Sequence, residues 1–435
     1  MTDPIVKIRH SKKKGKTLKL DHVSKIEGHA RLHVTVKDGV VEHLSFDIIE
    51  GARFFEAIMR GRAYNEVSSI STRICGICSV AHSIGSLRAV ETALKIDAST
   101  SDPLRKLLLN GGFIQSHIMH LYFLALPDYL GVGNILSLNR IRPDEVQRAL
   151  KLRRIGNEMV ELIGGRYIHP MTPIIDGFSH TPSREALLSL RRKIEDSLED
   201  AEKCADLFAG LNYPDFSRKT VQLSLDSYNF LNGEVQSTAH DLSGKAYNQY
   251  LEECVQPRST AKRVSCYGKT FAVGSLARMN MNSARLSESA KAAIKRNNLK
   301  FPSYSPFMNN VAQAIEIIHC MERSLDLIDE ISNFEIESKQ ECLVRDGKGF
   351  SATEAPRGLL FHEYEIKKGK IESANIITPT TQNIANIEAD LREFLPEILH
   401  KPEKELVKDL EKLIRAYDPC ISCSTHFLKV KIKRK

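Results

Sequence analysis

Apolar and polar residues alternate over residues 30–50. Leu32, Val34 and Val36 are followed by Asp38-Gly39, then by Leu44, Phe46 and Ile48. Two period-2 runs joined by Asp-Gly predict a β-hairpin. From Arg53 onward the apolar spacing becomes helical. Residues 104–126 predict one long helix. Residues 183–211 predict another, with Pro182 near its start and Asn212 and Pro214 near its end. Residues 311–334 are dense in Ile, Leu and Met at helical spacing, and residues 391–416 predict one or two amphipathic helices interrupted at Pro396 and Pro402. Residues 213–269 and 297–305 are rich in polar and turn residues, and residues 350–381 read as short strands and loops. The expected fold is mainly α with small β elements: a helical body with an N-terminal β-hairpin, and no linker that would divide the chain.

Composition refines this. The 435 residues are 42% hydrophobic and 27% charged, as in an ordinary globular protein with ample core. The net charge of +8 sits at the two ends. Residues 1–20 carry seven cations against Asp3, and residues 427–435 carry five cations, so residues 21–426 are mildly acidic at −3. A nucleic-acid binder needs its basic footprint on the folded face, and a body of this charge argues against one. Residues 1–19 therefore read as a basic tail. No stretch has the length and apolarity of a membrane span, and the N-terminus lacks the apolar core of a secretory signal. Nine cysteines, an odd number, fit a reducing compartment, so the expectation is a cytoplasmic protein.

The most informative residues are two thiol pairs at opposite ends, Cys75-Gly-Ile-Cys78 and Cys420-Ile-Ser-Cys423. Cys-x-x-Cys lets two thiolates grip one ion from a turn or a helix start. A zinc ribbon brings its pairs within about 15–20 residues of each other, whereas these must be brought together by the whole fold. Four soft sulfurs suit zinc, nickel or an iron–sulfur cluster, and spacing alone leaves the choice open. A redox Cys-x-x-Cys normally opens a helix after a strand in a βαβ unit, a pattern absent here.

The flanking residues narrow the choice. Arg73-Ile-Cys-Gly-Ile-Cys-Ser-Val-Ala-His82 and Asp418-Pro-Cys-Ile-Ser-Cys-Ser-Thr-His426 resemble the two signatures of the large, catalytic subunit of [NiFe] hydrogenases. Further matches follow in order: Lys25-Ile-Glu-Gly-His29, Arg53-Phe-Phe-Glu56, Gly164-Gly-Arg-Tyr-Ile-His-Pro170, Glu354-Ala-Pro-Arg-Gly358 and Pro379-Thr-Thr-Gln-Asn383. The resemblance spans residues 20–426, which it implies form a single large-subunit domain.

The resemblance implies a nickel–iron centre, NiFe(CN)2(CO), held by the four thiolates. Cys78 and Cys423 would bridge to the iron, with Cys75 and Cys420 terminal on nickel and Cys420 able to take a proton as dihydrogen is split. Glu27 matches the proton gate beside a terminal cysteine, and Arg357 the guanidinium poised over the open metal position. Pro356 and Thr380 match neighbours of the cyanides, Asp418 a partner of Arg357, and His82 a hydrogen-bonding neighbour of a bridging thiolate. Glu56 and His426 match ligands of a separate magnesium or iron site. Taken alone, Glu27 would read as an exposed or capping carboxylate, Arg357 as a solvent ion pair and His82 as a packed core histidine.

Two departures stand out. Ser116 occupies the place where relatives carry an Asp before His117-x-x-His120, which removes one carboxylate from Arg357. Gly177-Phe178 replaces a double Gly. The remaining cysteines, Cys204, Cys254, Cys266, Cys320 and Cys342, show no ligand spacing and are expected to be buried thiols. The chain has no iron–sulfur motif of its own, so the resemblance implies an iron–sulfur small subunit, diaphorase or other electron-transfer subunits, maturation proteins, and an endopeptidase that removes residues 427–435 after His426. The details most resemble the cytoplasmic, cofactor-coupled hydrogenases, with NAD(P) preferred over deazaflavin or a heterodisulfide reductase as electron partner. A quinone-site subunit of a complex I-like machine would share the fold but lack the four thiolates. A hydrogen-sensing protein would lack the C-terminal extension.

Overall fold

The computed structural model describes residues 6–10, 15–20, 23–332 and 345–425, with residues 6–10 and 15–19 described through their backbone alone. The predicted hairpin is present as β3 (Ala30–Lys37) and β4 (Val40–Ile48), preceded by β1 (Val6–His10) and β2 (Gly15–Leu20). The four strands form one antiparallel sheet in sequence order. Asp38 and Gly39 both have positive φ, as a two-residue type I′ turn requires. Leu32 pairs with Phe46 and Val34 with Leu44, so the apolar alternation faces one core.

The basic tail expected over residues 1–19 is corrected. Val6–His10 and Gly15–Leu20 are strands, with Leu20 opposite Leu32 in the sheet. Cations dominate this segment and mask its period-2 alternation, while the open edge of β3 offers main-chain partners for a further strand.

The body is helical: α1 (Ser79–Leu94), α2 (Asp102–Ile118), α3 (Pro143–Gly164) and α4 (Met308–Ile331). The helix expected over residues 104–126 ends as α2, and Met119–Ala125 continues as wider π-helical turns. Such turns are frequent at functional sites, and this one carries His120. The helix expected over residues 183–211 is broken at Asp196 and Ser197 into Arg184–Glu195 and Leu198–Ala209. Short strands such as Val221–Leu225 and Lys262–Cys266 lie in the segment read as irregular.

Residues 350–381, expected as short strands and loops, are mostly a regular meander. It comprises β5 (Gly347–Ala355), β6 (Gly358–Lys367) and β7 (Lys370–Ile377). β6 is largely buried, while β5 and β7 mix polar with apolar residues, so the three strands lack a shared period-2 alternation. Gly349 lets β5 lie directly on α1, because a Cβ there would come within 2.2 Å of the Ala93 nitrogen. The chain then enters α5 (Pro379–Ile398) and α6 (Glu403–Ala416). Pro396 does not interrupt α5. It lies in the last turn, and the carbonyl it strands belongs to exposed Arg392, where water can serve it.

Two large apolar cores result. One joins α1 to α4 with β5 to β7, and the other joins the N-terminal sheet to α5 and α6. Cys75, Cys78, Cys420 and Cys423 form a buried cluster of their own.

Candidate metal centre

The two thiol pairs meet. All four sulfurs lie within 4.8 Å of one another and all four residues are buried. Cys75 Sγ is 3.1 Å from Cys420 Sγ, Cys78 Sγ is 3.0 Å from Cys423 Sγ, and Cys420 Sγ is 3.1 Å from Cys423 Sγ. These are free thiols, well beyond disulfide length.

The first pair is placed locally. Cys75 is extended, its sulfur accepts from the Ile77 N–H at 3.3 Å, and Cys78 is the N-cap of α1. The positive end of that 16-residue helix therefore adjoins the thiols. The second pair is placed by distant residues. The Cys420 N–H donates to Thr380 Oγ1 at 3.0 Å, at the start of α5, and the Ile421 N–H donates to the Glu27 carbonyl at 3.0 Å.

Glu27 is aimed at the quartet. Its Oε2 lies 3.2 Å from Cys420 Sγ and accepts from the Ser422 N–H at 2.9 Å, while Oε1 accepts from the Ser422 hydroxyl. Ser422 escaped notice in the sequence because it is an unremarkable serine between two ligands.

Arg357 is buried and leaves the meander at the β5–β6 turn. Gly358 follows with φ +128°, where a Cβ would come within 2.5 Å of Val273. That glycine lets the turn close against its neighbour. Arg357 Nε donates to the Asp418 carbonyl at 2.6 Å, Nη2 to Asp418 Oδ1 at 2.8 Å and Nη1 to Ser116 Oγ at 3.2 Å. Ser116 thus acts as an acceptor, and among the described residues Asp418 supplies the carboxylate. Burial opposes the guanidinium charge, but Asp418 and the sulfurs of Cys420, Cys78 and Cys75 outweigh it, and Arg357 stays well above its ordinary value. Asp418 sits in the left-handed region and also accepts from Gln313 Nε2 at 3.1 Å.

Beneath this turn lies a charged cluster that sequence reading missed. Arg278, fully buried, donates to Glu316 Oε1 and Oε2 at 2.7 and 2.8 Å and to Glu354 Oε2 at 2.7 Å. It also donates to the carbonyls of Ala355 and Pro356 at 3.1 and 3.0 Å. It thereby clamps the two residues before Arg357. Burial works against ionised Glu316, but Arg278 and His117 outweigh it and hold that carboxyl well below its usual range. Burial pushes Glu354 up to about 7, against the pull of Arg278. The one sequence signal for this cluster was Glu354, at the head of the Glu-Ala-Pro-Arg-Gly run.

His82 Nε2 lies 3.7 Å from Cys423 Sγ. Pro356 and Thr380 are both buried. Glu56 accepts from the Ile376 N–H at 3.0 Å and lies 3.6 Å from Lys262 Nζ. His426 and residues 427–435 lie outside the described residues, as does Cys342. Of the other cysteines, Cys204, Cys266 and Cys320 are buried as expected, whereas Cys254 is exposed on a strand of a two-stranded sheet.

The donor set fits a soft cation. Hydrogen bonds from Cys420, Cys423 and Cys78 hold the Cys75 thiol well below its ordinary value. Its neighbours push Cys420 well above it, as does burial for Cys423. Four sulfurs this close cannot all ionise by themselves, and a metal cation is what would let them. A purely structural zinc site would not call for a buried guanidinium and a carboxylate aimed at its sulfurs.

Comparison with known proteins agrees. The profile of the nickel-dependent hydrogenase family matches residues 53–154 and 227–426. The alpha chain of sulfhydrogenase 1 from Pyrococcus furiosus is 35% identical over 420 residues, covering 94% of this chain and 98% of that protein. A component of the vhu F420-non-reducing hydrogenase of Methanococcus voltae is 30% identical over 412 residues, covering 87% and 98%. The fold superposes with a TM-score of 0.83 on a solved NAD+-reducing [NiFe]-hydrogenase in the H2-reduced state, at 27% identity and covering 94% of this chain and 99% of that one.

Proposed function

The chain belongs to the nickel-dependent hydrogenase family, and from that premise we propose how its residues divide the work of splitting and forming dihydrogen. It is the large, catalytic subunit of a [NiFe] hydrogenase. Bound nickel and iron would supply the Lewis-acid and redox centre at which dihydrogen is polarised and cleaved.

Cys75, Cys78, Cys420 and Cys423 would hold that centre, with Cys78 and Cys423 shared with the iron. Cys420 Sγ holds the proton released from dihydrogen and passes it to Glu27 Oε2 across 3.2 Å. Ser422, through its N–H and hydroxyl, keeps Glu27 pointed at the sulfur. Arg357 presents a permanent cation to the thiol quartet, oriented by Asp418. Thr380 holds the Cys420 backbone, and with Pro356 it would border the cyanides of the iron.

The observation that carries this reading is the convergence of a carboxylate and a guanidinium, from opposite ends of the chain, on four buried thiols. The test is exchange of deuterium gas with solvent protons by the assembled enzyme, which needs no electron carrier. Glu27→Gln should lower exchange by at least about 10²-fold while nickel stays bound; unaltered exchange would remove Glu27 from the proton path.

Electrons would leave through an iron–sulfur small subunit to a diaphorase or similar partner and on to NAD(P). A heterodisulfide-reductase or deazaflavin link is the alternative, and hydrogen-driven reduction of each carrier separates them. The NAD+-reducing enzyme matched at TM-score 0.83 supports the first. No described helix is long and apolar enough to cross a membrane, and we assign the enzyme to the cytoplasm. The second ion, magnesium or iron, at Glu56 and His426 rests on the resemblance alone, as does removal of residues 427–435 after maturation. Intact mass of the mature chain ending at Lys435 would overturn that removal.

A further inference from the structure

Three buried side chains lead from the thiol quartet into the meander. His82 of α1 has Nε2 3.7 Å from Cys423 Sγ, and its Nδ1 lies 3.2 Å from His362 Nε2. His362 Nδ1 lies 2.6 Å from the Tyr364 hydroxyl. His362 and Tyr364 are two residues apart on β6 and so share one face. Space for the line is made by Gly85 on α1, where a Cβ would come within 3.1 Å of both the His362 ring and Thr353 Oγ1. None of the three side chains is more than 1% exposed.

The line has a direction. A neutral imidazole carries one N–H donor and one bare acceptor nitrogen. A buried phenol left without an acceptor forfeits its hydrogen bond at a cost of about 1–3 kcal/mol. Among the described residues, the Tyr364 hydroxyl has His362 Nδ1 as its hydrogen-bond neighbour. Burial, with the charge of Glu56 adding to it, holds the phenol well above its ordinary value, so it remains an O–H donor. When Tyr364 donates, His362 Nδ1 is the acceptor and its proton sits on Nε2. That Nε2–H donates to His82 Nδ1, which leaves the His82 proton on Nε2, facing the sulfur.

We propose that Tyr364 and His362 are positioning residues that fix the tautomer of His82, so that an N–H is held toward Cys423 Sγ. This rests on the reading of Cys423 as a sulfur shared between nickel and iron. A hydrogen bond to such a sulfur withdraws electron density from it and so tunes the metal it binds. The reverse polarity, with a bare nitrogen facing the sulfur, would add lone-pair repulsion in its place.

Infrared spectra of the assembled enzyme provide one test, because cyanide and carbonyl stretches report electron density at the iron. Tyr364→Phe keeps the ring and removes the donor, and His362→Leu breaks the line. Both should move the bands to lower wavenumber. His362→Gln keeps an amide N–H for His82 Nδ1 and should restore the bands toward the unaltered enzyme. Nitrogen-15 spectra of histidine-labelled, metal-free full chain give a second readout: His82 should be protonated on Nε2, and Tyr364→Phe should mix the tautomers. Unmoved bands in both Tyr364→Phe and His362→Leu, or a His82 protonated on Nδ1, would overturn the proposal. Absence of cyanide and carbonyl bands from nickel-loaded unaltered enzyme would instead overturn the shared-sulfur reading on which it rests.

Discussion

The two thiol pairs have the same spacing but are delivered by different physics. Cys75 and Cys78 are fixed within a few residues, by an extended turn and the N-terminus of α1, whose buried face packs into the larger core. Cys420 and Cys423 sit on the four-residue helix Ile421–Ser424 and its cap, too short to hold itself. Their position comes from Glu27 and Thr380, and from Arg357 gripping Asp418, residues far away in sequence. One half of the site is thus built locally, and the other closes onto it only when the rest of the chain is folded. A site of this kind can stay open to metal insertion until its last segment docks.

The largest expected effect is common to both halves. Serine at any of Cys75, Cys78, Cys420 or Cys423 replaces a soft ligand with a hard one. Nickel content by elemental analysis and hydrogen activity should both fall to background, whichever pair is altered. Retention of nickel by a Cys420→Ser enzyme would break the equivalence of the pairs.

Next comes Arg357→Lys, which keeps the charge but loses the fork that holds Asp418 and Ser116. Turnover should fall roughly 10²–10³-fold with nickel retained. A larger loss accompanied by loss of nickel would mean that Arg357 holds the second pair rather than serving the reaction.

The clamp beneath Arg357 should show in pH dependence. Glu354 has a folded-state value of about 7, raised from 4.5, so the native state keeps a proton that the unfolded chain has released. Its stabilising contribution is full at or below the unfolded value, shrinks as pH rises toward 7, and is gone above it. By linkage the full span is about 3 kcal/mol. Glu316, whose carboxyl is held low, contributes stability that is lost only in acid and leaves this window alone. Denaturant midpoints of the assembled enzyme at about pH 5 and about pH 8 should therefore differ less in Glu354→Gln than in the unaltered protein.

The smallest effect is expected for Thr380→Val, which strips the acceptor from the Cys420 N–H. A cost of about 1–2 kcal/mol in stability is expected. It should be visible as faster hydrogen exchange around residues 420–424 with no change around residues 75–78. Equal loosening of both segments would contradict the asymmetry.

The same asymmetry governs how much could be read from sequence. The hairpin was legible because Asp38-Gly39 and the alternation around it act within one turn. The thiol quartet was legible because Cys-x-x-Cys repeats a local spacing, and its flanks carry the family's signatures. The partner of Arg357 was legible in part: Asp418 was expected, and so was the lack of a carboxylate at position 116, where Ser116 accepts instead. The Arg278–Glu316–Glu354 cluster was not legible, because lone charges scattered along a chain read as surface until the fold buries them together. His362 and Tyr364 were hidden for the same reason, since His362 and His82 are 280 residues apart. β1 and β2 were hidden by their charge, which resembles that of a solvated tail.

The central claim, that these four thiols hold a nickel–iron centre, is tested most directly by the infrared spectrum of the enzyme purified with its partner subunits, with metals assayed on the same sample. Sharp cyanide and carbonyl bands accompanied by nickel are the predicted result. A blank spectrum with zinc bound in place of nickel would contradict the account and make the quartet a structural site.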